Sequence, residues 1–435
     1  MMKKKYAVVG VGGRARFFYE AMVRDFRDTS ELVGFCDVNQ TRMDYANSVL
    51  EERLDYHKVN TYKANDFELM IEKEKPDVII VTSIDRTHHN YIIRAMELGC
   101  DVITEKPMTI DEEKCQAILD TVERTGRKLR VTFNYRYAPH NTKIKELIMS
   151  GIIGDVISVH FEWLLNTEHG ADYFRRWHRD KRNSGGLLVH KSTHHFDLVN
   201  FWLGTTPDTV FAMGDLRFYG RENAENRGIE KFYSRSHGSE AAKEDPFGLD
   251  MVSSPYMKAM YLDAEKEDGY IRDQSVFGDG ISIEDTMGLL VKYKNKAIMT
   301  YSLNTFLPWE GYNIAFNGTK GRMEVKIVEM SYVNAGGEAS LEGALQESSI
   351  HVFPMFDAPY KVDFEEGEGG HGGGDPVLLR DIFLEPENDI YNRAASHIDG
   401  ALSILTGIAG NKSLRTGMPV RVDDLVRFSK TKRFL

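Results

Sequence analysis

Thiols are scarce in this chain. Three cysteines among 435 residues, Cys36, Cys100 and Cys115, form an odd set with no C-x-x-C spacing. That excludes a disulfide framework or a thiolate metal centre and fits a reducing, cytoplasmic setting. Long apolar runs are missing as well, since nowhere do 18 apolar residues follow one another, so no membrane span is expected. Lys3-Lys4-Lys5 before Tyr6-Ala7-Val8-Val9 mimics a short signal peptide, but Gly10 to Gly13 and then Arg14 and Arg16 interrupt it, and the stretch reads as a strand. Positive charge is in deficit: 55 basic against 66 acidic residues leave −11. A nucleic-acid partner needs a basic footprint, which is absent.

What is present is the balance of an ordinary folded protein, 42% hydrophobic and 28% charged, with length enough for two or three domains. Up to about residue 135, short apolar runs alternate with helix-like periods, the pattern of parallel strands joined by crossover helices. Expected strands are Tyr6–Val9, Leu32–Cys36, Val78–Val81, Val102–Thr104 and Leu129–Phe133, with a helix over Thr87–Leu98. From about 155 the runs Val156–Leu164, Thr209–Met213, Gly288–Tyr293, Ala297–Asn304 and Tyr312–Phe316 lack such helices and predict an antiparallel sheet, with a hairpin at Lys294-Asn295-Lys296. Two domains follow, 1–135 and 136–435, the second carrying an aperiodic insertion at about 220–284, a lid or a surface excursion. Six glycines among positions 367–374 make Gly367–Asp375 a loop, and Ala394–Ala409 a helix returning to the body.

Gly10-Val11-Gly12-Gly13-Arg14-Ala15 follows a strand and opens a helix, matching G-x-G-x-x-A. Glycine suits a tight turn whose backbone must approach a pyrophosphate at a helix N-terminus. Alone, such glycines also make plain turns. Asp37 ends the second strand 22 residues after Ala15, the offset of an acid that accepts from a ribose 2′-hydroxyl and repels a 2′-phosphate. NAD is therefore the expected cofactor, held by Gly10, Gly12, Gly13, Arg14 and Asp37.

Thr104-Glu105-Lys106-Pro107 follows the fifth strand, preceded by Thr82-Ser83-Ile84-Asp85-Arg86-Thr87-His88 and followed by Asn134-Tyr135-Arg136-Tyr137-Ala138-Pro139 and Gly151-Ile152-Ile153-Gly154-Asp155. With Trp177, Asp180, Gly185, Gly186, His194, Asp197, Leu203 and Gly204, these segments resemble the Gfo/Idh/MocA family of NAD(P)-dependent oxidoreductases. The landmarks cover residues 5 to about 205, and the rest of the chain is carried by its antiparallel texture and closing helix. The chain departs from the family pattern at two places: Ile84-Asp85 replaces a usual Pro-Asn, and His190 stands where Asp is usual, four residues before His194. The resemblance implies a Rossmann doubly wound parallel sheet, then an α+β domain with an open-faced, mainly antiparallel sheet that often forms an oligomer contact, giving a dimer or tetramer. It also implies that Lys106 lies beside the nicotinamide and the substrate hydroxyl. Ser83, Asp85, His88, Glu105, Lys106, Arg136 and Trp177 join the expected cofactor contacts.

Oxidising a carbinol by hydride transfer requires a base for the hydroxyl proton and a cation for the developing alkoxide. Lys106 supplies the cation. If residues 187–203 are one helix, His190, His194 and Asp197 share a face at offsets 0, 4 and 7. Either His190 or His194 is the base, the other orienting substrate or relaying the proton. His195, off that stripe, reads as a hydrogen-bonded core residue. The i, i+4 histidines also have metal-ligand spacing, but no H-E-x-x-H frame accompanies them, so no metal is expected. Tyr173, Arg176, Trp177 and His178 mix aromatic surface with hydrogen-bonding groups suited to a sugar, Trp177 being equally readable as core. His371 in the glycine loop either reaches this cleft or stands in solvent.

The reading is an NAD-dependent dehydrogenase acting on a secondary hydroxyl of a sugar, glycoside or cyclitol, with Lys106, Tyr173, Arg176, His178, His190, His194 and His371 as substrate contacts. The alternative is a glycoside hydrolase or lyase that oxidises the sugar transiently, eliminates the aglycone and returns the hydride. A non-catalytic NAD-binding regulator would have no use for the lysine.

Overall fold

The computed structural model describes residues 3–331, 347–367, 370–384 and 389–428. Six strands form the first sheet: β1 (Lys4–Val9), β2 (Ser30–Asp37), β3 (Asn60–Lys63), β4 (Val78–Val81), β5 (Asp101–Thr104) and β6 (Leu129–Val131). All pair in parallel, in the order β3-β2-β1-β4-β5-β6. β4 reads Val-Ile-Ile-Val and is buried along its whole length, as a central parallel strand covered on both faces must be. Successive side chains of β1 feed opposite faces: Ala7 and Val9 join one core, Tyr6 and Val8 the other. The helices α1 (Ala15–Arg24) and α2 (Gln40–Arg53) pack on the second of these cores through Phe18, Met22, Met43 and Leu50. The strand order reverses between β1 and β4, and the crevice at the carboxyl ends of such strands is where open α/β sheets bind ligands.

The second sheet has nine strands: β7 (Val156–Asn166), β8 (Pro207–Asp215), β9 (Thr286–Tyr293), β10 (Ile298–Leu307), β11 (Glu310–Gly318), β12 (Gly321–Met330), β13 (Ser349–Pro354), β14 (Tyr360–Val362) and β15 (Val420–Arg421). Within this sheet, among the described strands, only β7 and β10 pair in parallel; every other pair is antiparallel. Strand alternation sends Val159, Phe161 and Trp163 of β7 inward, where Phe161 and Trp163 meet His195 and Trp202 of the helix Ser192–Leu203, while the helix His397–Thr416 packs on β8. The opposite face, with Leu290 and Ile298 exposed, is uncovered among the described residues.

Some expectations are corrected here. The strand expected over Leu129–Phe133 stops at Val131, because the chain then enters the 3-10 turn Asn134–Tyr137. The single helix expected over His190 and Asp197 breaks at Lys191 into Leu187–His190 and Ser192–Leu203, and both faces of the second piece are buried. The glycine loop ends earlier than Asp375, since Gly374 and Asp375 open the helix Gly374–Phe383; Glu368 and Gly369 lie outside the described residues. The closing helix begins at His397, where Ser396 and Asp399 form a reciprocal capping box.

Arg136, on the turn after β6, ties the two sheets together. It donates from Nε and Nη2 to Asp197 (2.7 and 2.6 Å) and from Nη2 to Asp399 (2.9 Å), with only 3% of its side chain exposed. The expectation that it touches the cofactor finds no support: Nε and Nη2 are taken up by these two acids, and Arg136 does not line the cleft at the strand ends. Replacing one member of a buried pair strands the other's charge at about 3–5 kcal/mol. Arg136→Leu is expected to lower stability by that order in chemical denaturation, and an unchanged midpoint would show that the pair does not brace the fold.

Candidate active site

The cleft opens where β1, β2, β4 and β5 end and encloses about 750 Å³. Gly10 has φ +84°, and a Cβ there would fall 2.4 Å from the Ser83 backbone, so only glycine lets β1 turn this close to the β4 loop. Gly12 is the opposite case, with open space where a Cβ would stand. α1 starts just beyond, with no side-chain cap on its first amides. A free helix N-terminus facing an open glycine turn fits a pyrophosphate. Asp37, at the end of β2, accepts from the Val11 and Asn39 amides at 2.5 and 2.8 Å. Burial raises its pKa, while those two amides and Arg42 oppose the rise. The donor set and the empty space together fit a dinucleotide.

On the β5 side, Arg14 donates to Glu105 at 2.7 Å and lies 3.9 Å over the Phe17 ring, so these two expected cofactor residues face each other across the wall of the cleft. His88 is buried with its ring nitrogens 2.9 Å from the Pro107 and Ser83 carbonyl oxygens, which fixes the β4 loop against the lysine loop. Ser83 itself bonds the Thr87 hydroxyl at 2.9 Å.

Lys106 follows β5 and donates from Nζ to the His190 carbonyl at 3.0 Å, with His190 Nε2 at 3.5 Å. On the far side of that ring, His190 Nδ1 lies 2.5 Å from the Asp85 carboxylate. The two departures from the family pattern, Asp85 and His190, are thus each other's partner, 105 residues apart in sequence. Because an ammonium only donates, Lys106 facing Nε2 selects the tautomer whose proton sits on Nδ1 and is donated to Asp85. Burial lowers Lys106 to about 8 against the upward pull of Asp85. Burial, aided by Lys106, also holds His190 well below the ordinary histidine range, leaving a neutral ring with a lone pair on Nε2.

His194 lines the same cleft, 2% exposed, with no partner for Nδ1. His178 also has an unpartnered Nδ1 and lies edge-on to His190 at 4.2 Å, stacked under Trp177 at 3.6 Å. Arg176 reaches the cleft with its Nε unpartnered. His371 turns toward the cleft on the Asp375 carboxylate (3.1 Å), its ring 5.9 Å from that of His194. Tyr173 stands behind this layer, its ring against His178 and His190 and its hydroxyl 3.0 Å from His169 Nε2, so it backs the histidines without lining the cleft. His195 is in the core, bonded to the Tyr301 hydroxyl at 2.6 Å. Among the described residues no cluster of three or more His, Cys, Asp or Glu is arranged to hold a metal ion.

Several lining residues escaped the sequence reading. Arg42 on α2 and Tyr261, Glu267, Asp268 and Tyr270 of the insertion close the nucleotide end of the cleft. A basic residue five positions after Asp37 was the available signal for Arg42; nothing in the aperiodic insertion marks its contacts in advance.

Known proteins resemble this chain in sequence and in fold. Residues 4–133 match the model of the Gfo/Idh/MocA oxidoreductase family described as an NAD-binding Rossmann fold, and residues 145–422 match that family's C-terminal alpha/beta domain. The Bacillus subtilis (strain 168) protein YteT, named as an oxidoreductase, is 36% identical over 97% of this chain and 98% of its own length. The D-glucoside 3-dehydrogenase of Escherichia coli (strain K12) is 26% identical over 46% of this chain and 54% of its own. In fold, the aldose-aldose oxidoreductase of Caulobacter crescentus superposes with TM-score 0.63 over 97% of this chain and all of that one, at 15% identity. No helix among the described residues is long and apolar enough to cross a membrane. With both of its sheets matched and its nucleotide turn open to a dinucleotide, the chain belongs to the Gfo/Idh/MocA family of oxidoreductases and carries that family's NAD-binding Rossmann fold.

Proposed function

We propose that the protein is an NAD-dependent dehydrogenase of a secondary hydroxyl in a sugar, glycoside or cyclitol. The observation that carries the proposal is the line Asp85, His190, Lys106 at the carboxyl ends of the strands. Bound NAD supplies the hydride acceptor. Lys106 donates to the substrate oxygen and stabilises the developing alkoxide. His190 accepts the hydroxyl proton at Nε2, and Asp85 stabilises the imidazolium through Nδ1. His194, His178 and Arg176 offer nitrogens that have no protein partner, which suits a hydroxyl-rich ring lying against Trp177. The E. coli glucoside dehydrogenase relative supports the substrate class. NAD is preferred over NADP because the Asp37 carboxylate, at the end of β2, lines the ribose end of the cleft and would repel a 2′-phosphate. The uncovered face of the second sheet supports a homo-oligomer, dimer or tetramer.

With a panel of sugars, glycosides and inositols, NADH absorbance is the readout. Loss of a general base typically costs 10²–10⁴-fold, so His190→Ala is expected to lower kcat by about that factor, while His194→Ala acts mainly on KM. The opposite split would transfer the base role to His194. Lys106→Ala retaining full rate would remove the lysine from the mechanism.

The pH profile follows from the same groups. The charged lysine is the active form, so kcat/KM is expected to fall as pH rises through about 8. The acid limb lies well below the ordinary histidine pKa, because burial keeps His190 neutral. Asp85 raises Lys106, so Asp85→Asn should move the alkaline limb to lower pH. An alkaline limb that stays put, or moves up, would contradict the coupling.

A further inference from the structure

The insertion is the element that this chemistry leaves without a task. Its stretch from Tyr256 to Tyr270 lies against the nucleotide end of the first sheet rather than out in solvent. The carboxylate of Glu267 accepts from the Gln40 amide (2.7 Å) and the Thr41 amide (2.8 Å), so the insertion caps the N-terminus of α2. Lys63, at the end of β3, adds an ion pair to the same carboxylate at 2.9 Å. Asn39 donates from its side chain to the Ala264 carbonyl at 2.9 Å. Arg42 donates to the Met260 carbonyl at 3.1 Å and to Asp268 at 2.6 Å. The Thr41 hydroxyl and Lys63 hold Glu267 down to about 2, so this anchor stays charged far below neutral pH.

The strap also reaches the glycine turn. A Cβ added at Gly13 would stand 2.9 Å from the Tyr256 hydroxyl and 3.0 Å from that of Tyr261, so the two tyrosines roof the start of α1. One polar group beneath the roof has no partner, Nη2 of Arg42, a residue only 8% exposed, and the Tyr270 ring lies beside that guanidinium. Both residues line the cleft. α2 follows directly on Asp37, so this is the adenosine end of the site.

We infer that Tyr256–Tyr270 is a wall of the cofactor site, closing over the adenosine half of NAD so that the dinucleotide leaves only when the strap swings away. Arg42 turns its spare Nη2 donor to the bound nucleotide, and Tyr270 lines the same end of the cleft. Opening the strap breaks several charge-assisted hydrogen bonds at once, which makes it the slow step of release. The inference rests on the NAD-binding fold and not on the identity of the substrate.

The test needs no sugar. Protein loaded with NADH is mixed with a large excess of NAD, and the decay of bound-NADH fluorescence gives the release rate. Removing both acidic anchors in a Glu267→Ala, Asp268→Ala double variant is expected to speed release by at least about tenfold, a change of about 1.4 kcal/mol in the barrier. Lys63 has 46% of its side chain exposed and lies outside the cleft, so Lys63→Met keeps the fold and is expected to speed release about threefold, as one exposed ion pair allows. Circular dichroism establishes folding. Equal release rates in wild type and in Lys63→Met would overturn the proposal, and so would a folded double variant that releases NADH at the wild-type rate. Failure of every sugar to reduce NAD would leave this result standing, so the two readings fail separately.

Discussion

The contact between the Asp85 carboxylate and the His190 imidazole joins the loop after β4 to the helix break of the second unit, and with it a carboxylate, a ring and an ammonium are set in line. None of these groups is comfortable where it stands. Burial disfavours the charged form of each, and only mutual contact lets an acid, a base and a lysine share one dry wall. The same burial keeps His190 neutral and brings Lys106 down to about 8. Reactivity here is a product of packing: the elements that shut water out of the core also set the protonation states at its edge.

Much of the fold was legible in the sequence because its strands announce themselves locally. Val78–Val81 is an unbroken apolar run between turn residues, and Gly10 to Ala15 sits between a strand and a helix. β12 escaped notice although Met323, Val325 and Ile327 alternate with charged residues, the inward face of a half-exposed strand. β15 has two residues and no period to detect. The break at Lys191 was hidden because the residues on both sides keep a helical spacing and are buried all round.

In the site, what the chain shows locally was readable and what it assembles across distance was not. Asp85 and His190 each stood out as departures from the family pattern, but sequence offers no sign that residues so far apart complement one another. Arg136 sits in the turn Asn134–Tyr137, just after the last strand of the nucleotide-binding sheet, yet the acids that claim it are 61 and 263 residues away. The insertion has no periodicity, because its Met and Tyr side chains serve one small cluster around Met251, Met260 and Tyr261 and leave its backbone carbonyls and acids to do the anchoring.

Asp85 fixes the His190 proton on Nδ1 and leaves Nε2 as a neutral acceptor. Nitrogen-15 resonances of ring-labelled histidine in the intact protein report this directly, with His190→Gln identifying the signals. The account predicts a single ring proton on Nδ1 at pH 7, strongly deshielded by the carboxylate, and its loss of that deshielding in Asp85→Asn. A proton on Nε2, or a doubly protonated ring at pH 7, would contradict it.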